Sequence, residues 1–135
     1  MAAAEMITIE YFSQWLEMYS RHSAENNAKA SAELFAQDAR YYENPFDEPL
    51  VGREAIYQYW KKGAETLEDK TSAFEILALS GNLGVARWRS FFRAIKTSKR
   101  FELDCIFAVE FDGAGECINF REGGTVESRK SLERP

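Results

Sequence analysis

At 135 residues the chain has the length of one domain, enough to bury roughly two thirds of its unfolded surface without disulfide or metal staples. A net charge of −5 excludes a general binder of nucleic acid or of anionic membranes. Two cysteines, one histidine and no Cys-x-x-Cys argue against a structural zinc site, so no metal or cofactor is expected. No window approaches a membrane span, and no basic start leads into an apolar run at the N-terminus. A soluble, cytoplasmic protein is the expectation.

In chain order, residues 1–6 read as a lead. Thr8 caps a helix running to about Asn26, with Glu10 well placed in its first turn. Phe12, Trp15, Leu16 and Tyr19 fall at i, i+3, i+4 and i+7 on one apolar stripe. Asn27 caps a second helix, whose small Ala28 and Ala32 permit close packing before Leu34 and Phe35, and which Asp38-Ala39 ends. Residues 40–44 read as a short strand, stopped by Pro45 and Pro49. Gly52 opens a third helix with Ile56, Tyr59, Trp60 and Gly63 on one stripe. Residues 72–80 read as a strand that Gly81-Asn82 turns into a meander.

The meander holds three antiparallel strands, 84–95, 100–111 and 116–122. In the middle one, Phe101, Leu103, Cys105, Phe107, Val109 and Phe111 alternate with the other face, the period of a half-buried strand. Symmetric turns would set Trp88 opposite Phe107, Ser90 opposite Cys105, Phe107 opposite Phe120 and Cys105 opposite Glu122. Trp88, Phe107 and Phe120 then form an inner aromatic row with a carboxylate one pair further along. By position Cys105 and Cys117 fall on opposite faces, which argues against a mutual disulfide. Arg87, Arg89 and Arg93 lie on the outer face, Arg93 across from Glu102, as an ion-pair lattice. Gly123-Gly124 breaks the last strand. The class is α+β with helices on one sheet face, residues 1–128 forming the domain and 129–135 a polar tail.

Several segments together carry a resemblance. They are Leu34-Phe35-Ala36-Gln37-Asp38-Ala39, Tyr42-Glu43-Asn44-Pro45-Phe46, Gly52-Arg53-Glu54-Ala55-Ile56, Tyr59-Trp60, Phe111-Asp112-Gly113-Ala114-Gly115 and Arg121-Glu122. The chain resembles the nuclear transport factor 2-like superfamily, which includes ketosteroid isomerase and the SnoaL-like polyketide cyclases. The resemblance implies a strongly curved antiparallel sheet wrapped around N-terminal helices, a cone with an apolar pocket for a small apolar molecule. It also implies a homodimer through the outer sheet face, where Phe91, Ile106 and Ala108 lie. In the isomerase the general-base Asp precedes a Pro on the first strand. Counting back from Pro45 gives Asn44, whereas counting forward from Asp38-Ala39 gives Glu43. The oxyanion-hole Tyr matches Tyr19, but the second, acidic donor falls on Phe107. Because one such donor is worth about 3–4 kcal/mol in the transition state, ketosteroid isomerisation by two donors is not expected.

Glu43 and Glu122 are the candidate carboxylates. Walled by Trp88, Phe107 and Phe120, such a group loses hydration and its pKa rises toward neutrality, suiting it to proton transfer. Alternatively Glu122 sits at the rim or pairs with Arg121 or Arg53. Tyr19 is either a donor to a substrate oxygen or a satisfied core hydroxyl. Trp15, Trp60 and Trp88 either clamp a flat ligand or fill the cone. Cys105, on the inner face without a neighbouring cation, reads as an inert thiol. The expected function is acid/base chemistry of isomerase, cyclase or hydrolase type on an apolar oxygenated substrate. A non-catalytic ligand-binding or dimeric scaffold module is the alternative.

Overall fold

The computed structural model describes residues 6–44 and 46–128. Helix α1 (Ile9–Ala24) forms because Thr8 accepts the backbone N–H of Tyr11 at 3.0 Å and the stripe Phe12, Trp15, Leu16, Tyr19 is buried. Helix α2 (Ala28–Ala32) is shorter than its composition suggests, and strand β1 (Phe35–Tyr42) begins where helix was expected. Tertiary pairing decides this. Phe35 faces Cys117 in the sheet, and its carbonyl accepts Arg53 Nε at 2.9 Å and Nη2 at 2.8 Å. After the two-residue β2 (Leu50–Val51), Gly52 at φ 96° leads into α3 (Arg53–Thr66).

Strands β3 (Leu67–Ser80), β4 (Leu83–Ala94), β5 (Arg100–Phe111) and β6 (Cys117–Ser128) follow as an antiparallel meander. The sheet order is β2-β1-β6-β5-β4-β3, open at both ends and curved around α1, with β1 parallel to β6. This is the α+β cone expected. Among the described residues no helix is long and apolar enough to cross a membrane. The expected tail at 129–135 lies outside the described residues, as do residues 1–5 of the lead and Pro45.

The meander keeps its faces but shifts its partners by two residues. Trp88 faces Cys105, Ala86 faces Phe107, Phe107 faces Glu122 and Cys105 faces Gly124. The first turn is displaced by one residue: Ala94 N–H donates to Lys99 O at 2.9 Å, and Ser98, at φ 60°, returns its N–H to Ala94 O at 2.8 Å. The second is widened by Asp112, whose Oδ1 accepts the N–H groups of Ala114 and Glu116, and a bulge follows at Phe111. That bulge sets Cys117 opposite Phe111 on the inner face, not the outer one. Both thiols are buried and free, six positions or ~20 Å apart along the ladder. On the outer face Arg87 pairs with Asp104 and Arg89 with Glu102, each at 2.7 Å, while Arg93 takes Glu68 and Asp69 instead of Glu102.

Gly123-Gly124 does not end β6. The strand runs on to Ser128, and a Cβ at Gly124 would collide with the Asp104 carbonyl and with Cys105. The glycine is what lets β5 and β6 stay paired there. Gly124→Ala should force the two strands apart and lower stability by about 1–3 kcal/mol, read as an earlier midpoint in urea unfolding.

Candidate functional site

Between α1, α3 and the inner faces of β3–β6 lies a cavity of about 500 Å³. Its walls are mainly aromatic. Trp88 and Phe107 stack with ring centres 4.8 Å apart, and Tyr19 meets them edge-on at 5.1 and 5.5 Å. Trp60 of α3 closes the wall edge-on to Tyr19 at 5.3 Å. The indole N–H of Trp60 is buried and has no hydrogen-bond partner among the described residues.

One end of the cavity is acidic, for a reason that lies in strand pairing. In the parallel β1–β6 ladder Tyr41 faces Phe120 and Tyr42 faces Arg121, so the next step sets Glu43 beside Glu122. Both line the cavity. Both residues are exposed, and parity separates them: Glu43 shares the face of buried Tyr41 and lines the cavity, while Asn44 falls on the other face. Asn44 is turned to the chain itself, its Oδ1 accepting the Phe46 N–H at 2.9 Å, and it is not part of the cavity wall.

Three phenols surround the two carboxylates. Tyr41 donates to Glu122 Oε1 at 3.5 Å and shares a 3.3 Å hydrogen bond with Tyr19, in which either oxygen can be the donor. Tyr59 donates to Glu43. Burial, reinforced by the Glu122 charge, pushes the Tyr19 and Tyr41 phenols well above their usual range, and burial does the same to Tyr59, so all three remain protonated donors. Burial also pushes Glu122 up to about 7, the neighbouring Glu43 adds to the rise, and the Tyr41 hydrogen bond opposes it. Among the described residues no arginine forms an ion pair with Glu122. Arg53 pairs with Glu116 at 3.2 Å, and Arg121 lies over the Tyr42 ring at 4.1 Å.

The other candidates divide between wall and interior. Tyr19, Trp60, Trp88 and Phe107 line the cavity. Trp15 and Phe120 lie in the core behind it, Trp15 donating to Leu34 O at 3.3 Å and Phe120 stacked between Tyr19 and Tyr41. Cys105 is likewise behind the wall, and burial raises its thiol well above the ordinary value. Tyr41, Tyr59 and Lys70 also line the cavity and were not among the candidates. Tyr41 was legible as the residue two before Glu43 on the same strand face, and Tyr59 as a member of the α3 stripe. Among the described residues no three His, Cys, Asp or Glu side chains gather in a metal-binding cluster.

The SnoaL-like domain family matches residues 13–118, most of the chain. The protein belongs to the SnoaL-like family. Among solved structures it is similar to SalBIII, an epoxide hydrolase/cyclase-like enzyme with a role in pyran ring formation in the polyether salinomycin. The TM-score there is 0.75 at 15% identity, over 86% of this chain and 94% of that one. It is also similar to a putative isomerase from Bacillus subtilis, with TM-score 0.76 at 20% identity over 89% and 90% of the two chains. At these identities the likeness is one of fold. No curated protein sequence matches the chain.

The raised carboxyl has a thermodynamic consequence. Because the folded protein holds the Glu122 proton up to about pH 7 against an ordinary 4.5, this group makes stability fall as pH climbs between those values and stay level above them. Glu122→Gln should lack that fall. Its stability relative to the parent protein should be higher at pH 8 than at pH 5 by on the order of 2 kcal/mol, measured by urea denaturation at both pH values.

Proposed function

We propose that this SnoaL-like protein is a small-molecule enzyme in which Glu122 moves a proton on an apolar, oxygen-bearing substrate held in the aromatic cavity. The observation that carries the reading is a carboxyl pushed up to about 7, beside a second carboxylate, in a cavity walled by aromatic rings. A group with that pKa is deprotonated often enough to take a proton near neutrality and acid enough to return it. The reaction class is isomerisation, cyclisation or hydrolysis, each of which needs such a shuttle.

The hydroxyl chain gives the shuttle a partner. While Glu122 is ionised, Tyr41 donates to it and Tyr19 can donate to Tyr41. Once Glu122 has taken a proton, Tyr41 can donate to Tyr19 instead. That frees the Tyr19 O–H for a substrate oxygen on which negative charge develops. Glu43, held by Tyr59, keeps the Glu122 proton affinity high through its charge.

Two features support a second reading, that of a ligand-binding module. Phe107 stands where the two-donor isomerases place an acid, and Glu43 is already committed to Tyr59. An apolar molecule co-purifying in native mass spectrometry, with no turnover on any substrate, would favour it. We further propose a homodimer through the outer sheet face, where Ile106 is 42% exposed, and a cytoplasmic location, with which two free thiols accord. Sedimentation at high concentration should show the dimer, and a monomer throughout would reject it.

Turnover is to be sought with ketone, enol and epoxide panels. For an active substrate, Glu122→Gln should lower kcat by about 10²–10⁴. In the parent protein kcat/KM should rise with pH through about 7, as the base loses its proton. Glu43→Gln should move that rise to lower pH by removing the neighbouring charge. Turnover untouched by both substitutions would remove both carboxylates from the reaction.

A further inference from the structure

Lys70 lies on the cavity wall of β3, 9% exposed, with its ammonium 5.5 Å from the centre of the Trp60 ring. No carboxylate among the described residues pairs with it. A buried lysine normally has a counter-ion, because an isolated charge in an apolar setting is costly. The chain supplies two acids immediately before it, Glu68 and Asp69, and directs both elsewhere.

A bulge does this. Between Glu68–Arg93 and Thr71–Phe91 the β3–β4 ladder skips a residue, so Asp69 and Lys70 together face Phe92. Asp69 takes φ 53°, the left-handed conformation that a non-glycine residue adopts at some cost. In an unbroken strand Glu68 would share the face of Lys70 and Ser72, two residues away from the amine. Instead Glu68 sits outside, 2.9 Å from Arg93, and Asp69 meets the same arginine at 2.6 Å. The bulge thus turns away the one neighbouring acid, Glu68, that regular alternation would place on the face of Lys70, while Asp69 points outward in either case. Burial lowers the Lys70 pKa, and no acid acts to restore it.

We infer that Lys70 is the anchor for an anionic oxygen of the ligand, so that the cavity takes an amphipathic carboxylate with its head on β3. This rests on the reading that the cavity holds a small molecule and narrows its class. Across the sheet order Glu122 on β6 lies three strands from β3, a lateral ~14 Å, and Glu43, past the end of β1, lies four. A carboxylate at Lys70 therefore lies far from Glu122 and Glu43, whose charge would repel it. The body of the ligand then runs along Phe92, Leu103 and Phe107, and presents its reacting part to Glu122.

Calorimetric titration with decanoate and with decan-1-ol tests this, using the full chain, Lys70→Met and Lys70→Arg. Decanoate should bind the parent protein at least about tenfold more tightly than decan-1-ol, the difference expected of one charge-assisted contact. Lys70→Met should abolish that preference while leaving decan-1-ol within twofold, and Lys70→Arg should retain it. Lys70→Met should also melt at higher temperature than the parent, because it removes an unpaired buried charge, whereas a structural lysine would give a lower melting point. If decan-1-ol binds as well as decanoate, or Lys70→Met keeps the preference, the anchor is overturned and the ligand cavity stands. If neither probe binds the parent protein, both fall together. Should Lys70→Met fail to fold, the comparison of probes on the parent protein and on Lys70→Arg still decides.

Discussion

The parallel pairing of β1 with β6 is the constraint on which the rest depends. Every other neighbouring pair in this sheet is antiparallel, and a meander alone would leave Glu122 as a single carboxylate beside aromatic rings. Bringing β1 alongside sets Tyr41 against Phe120 and carries Glu43 to Glu122. Burial of Glu122, with the Glu43 charge beside it adding to the effect, pushes that carboxyl up to about 7. The pairing is secured from outside the cavity by Arg53, whose guanidinium holds the Phe35 carbonyl and Glu116 together.

The aromatic wall and the acid end are one device. Phe120 stacks on both Tyr19 and Tyr41, so the ring that excludes water also fixes the two hydroxyls that reach Glu122. A core built this way positions polar groups by packing, since each phenol has little room to rotate away. The same packing keeps Trp15 and Cys105 out of contact with the cavity.

Much of this was legible in the sequence where local pattern and tertiary demand agree. The α1 stripe, the caps at Thr8 and Asn27, the α3 stripe and the face assignment of β5 all follow from periodicity. Partner assignments did not, because both turns deviate from symmetry through Ser98 and Asp112, and only a shift of two residues left the faces intact. The start of β1 was hidden because Ala28–Ala32 continues into residues that also suit a helix, and only the pairing with β6 makes Phe35 extended. Glu43 and Asn44 could not be separated without knowing which face Tyr41 takes. Lys70 escaped because the strand was read as beginning at residue 72, whereas β3 begins at Leu67, and the bulge that turns Glu68 outward leaves no sequence signal.

The interruptions in β3 reach beyond the cavity. At 14 residues it is the longest strand in the sheet and stands at its end, where a straight row of amides and carbonyls would recruit strands from other molecules. Breaks in register after Glu68 and after Ile76 interrupt that row, leaving Thr71–Ile76 as its longest unbroken stretch. The bulge that turns Glu68 away from the amine inside therefore also kinks the exposed margin, one of the devices that blunt an edge strand against pairing with other chains.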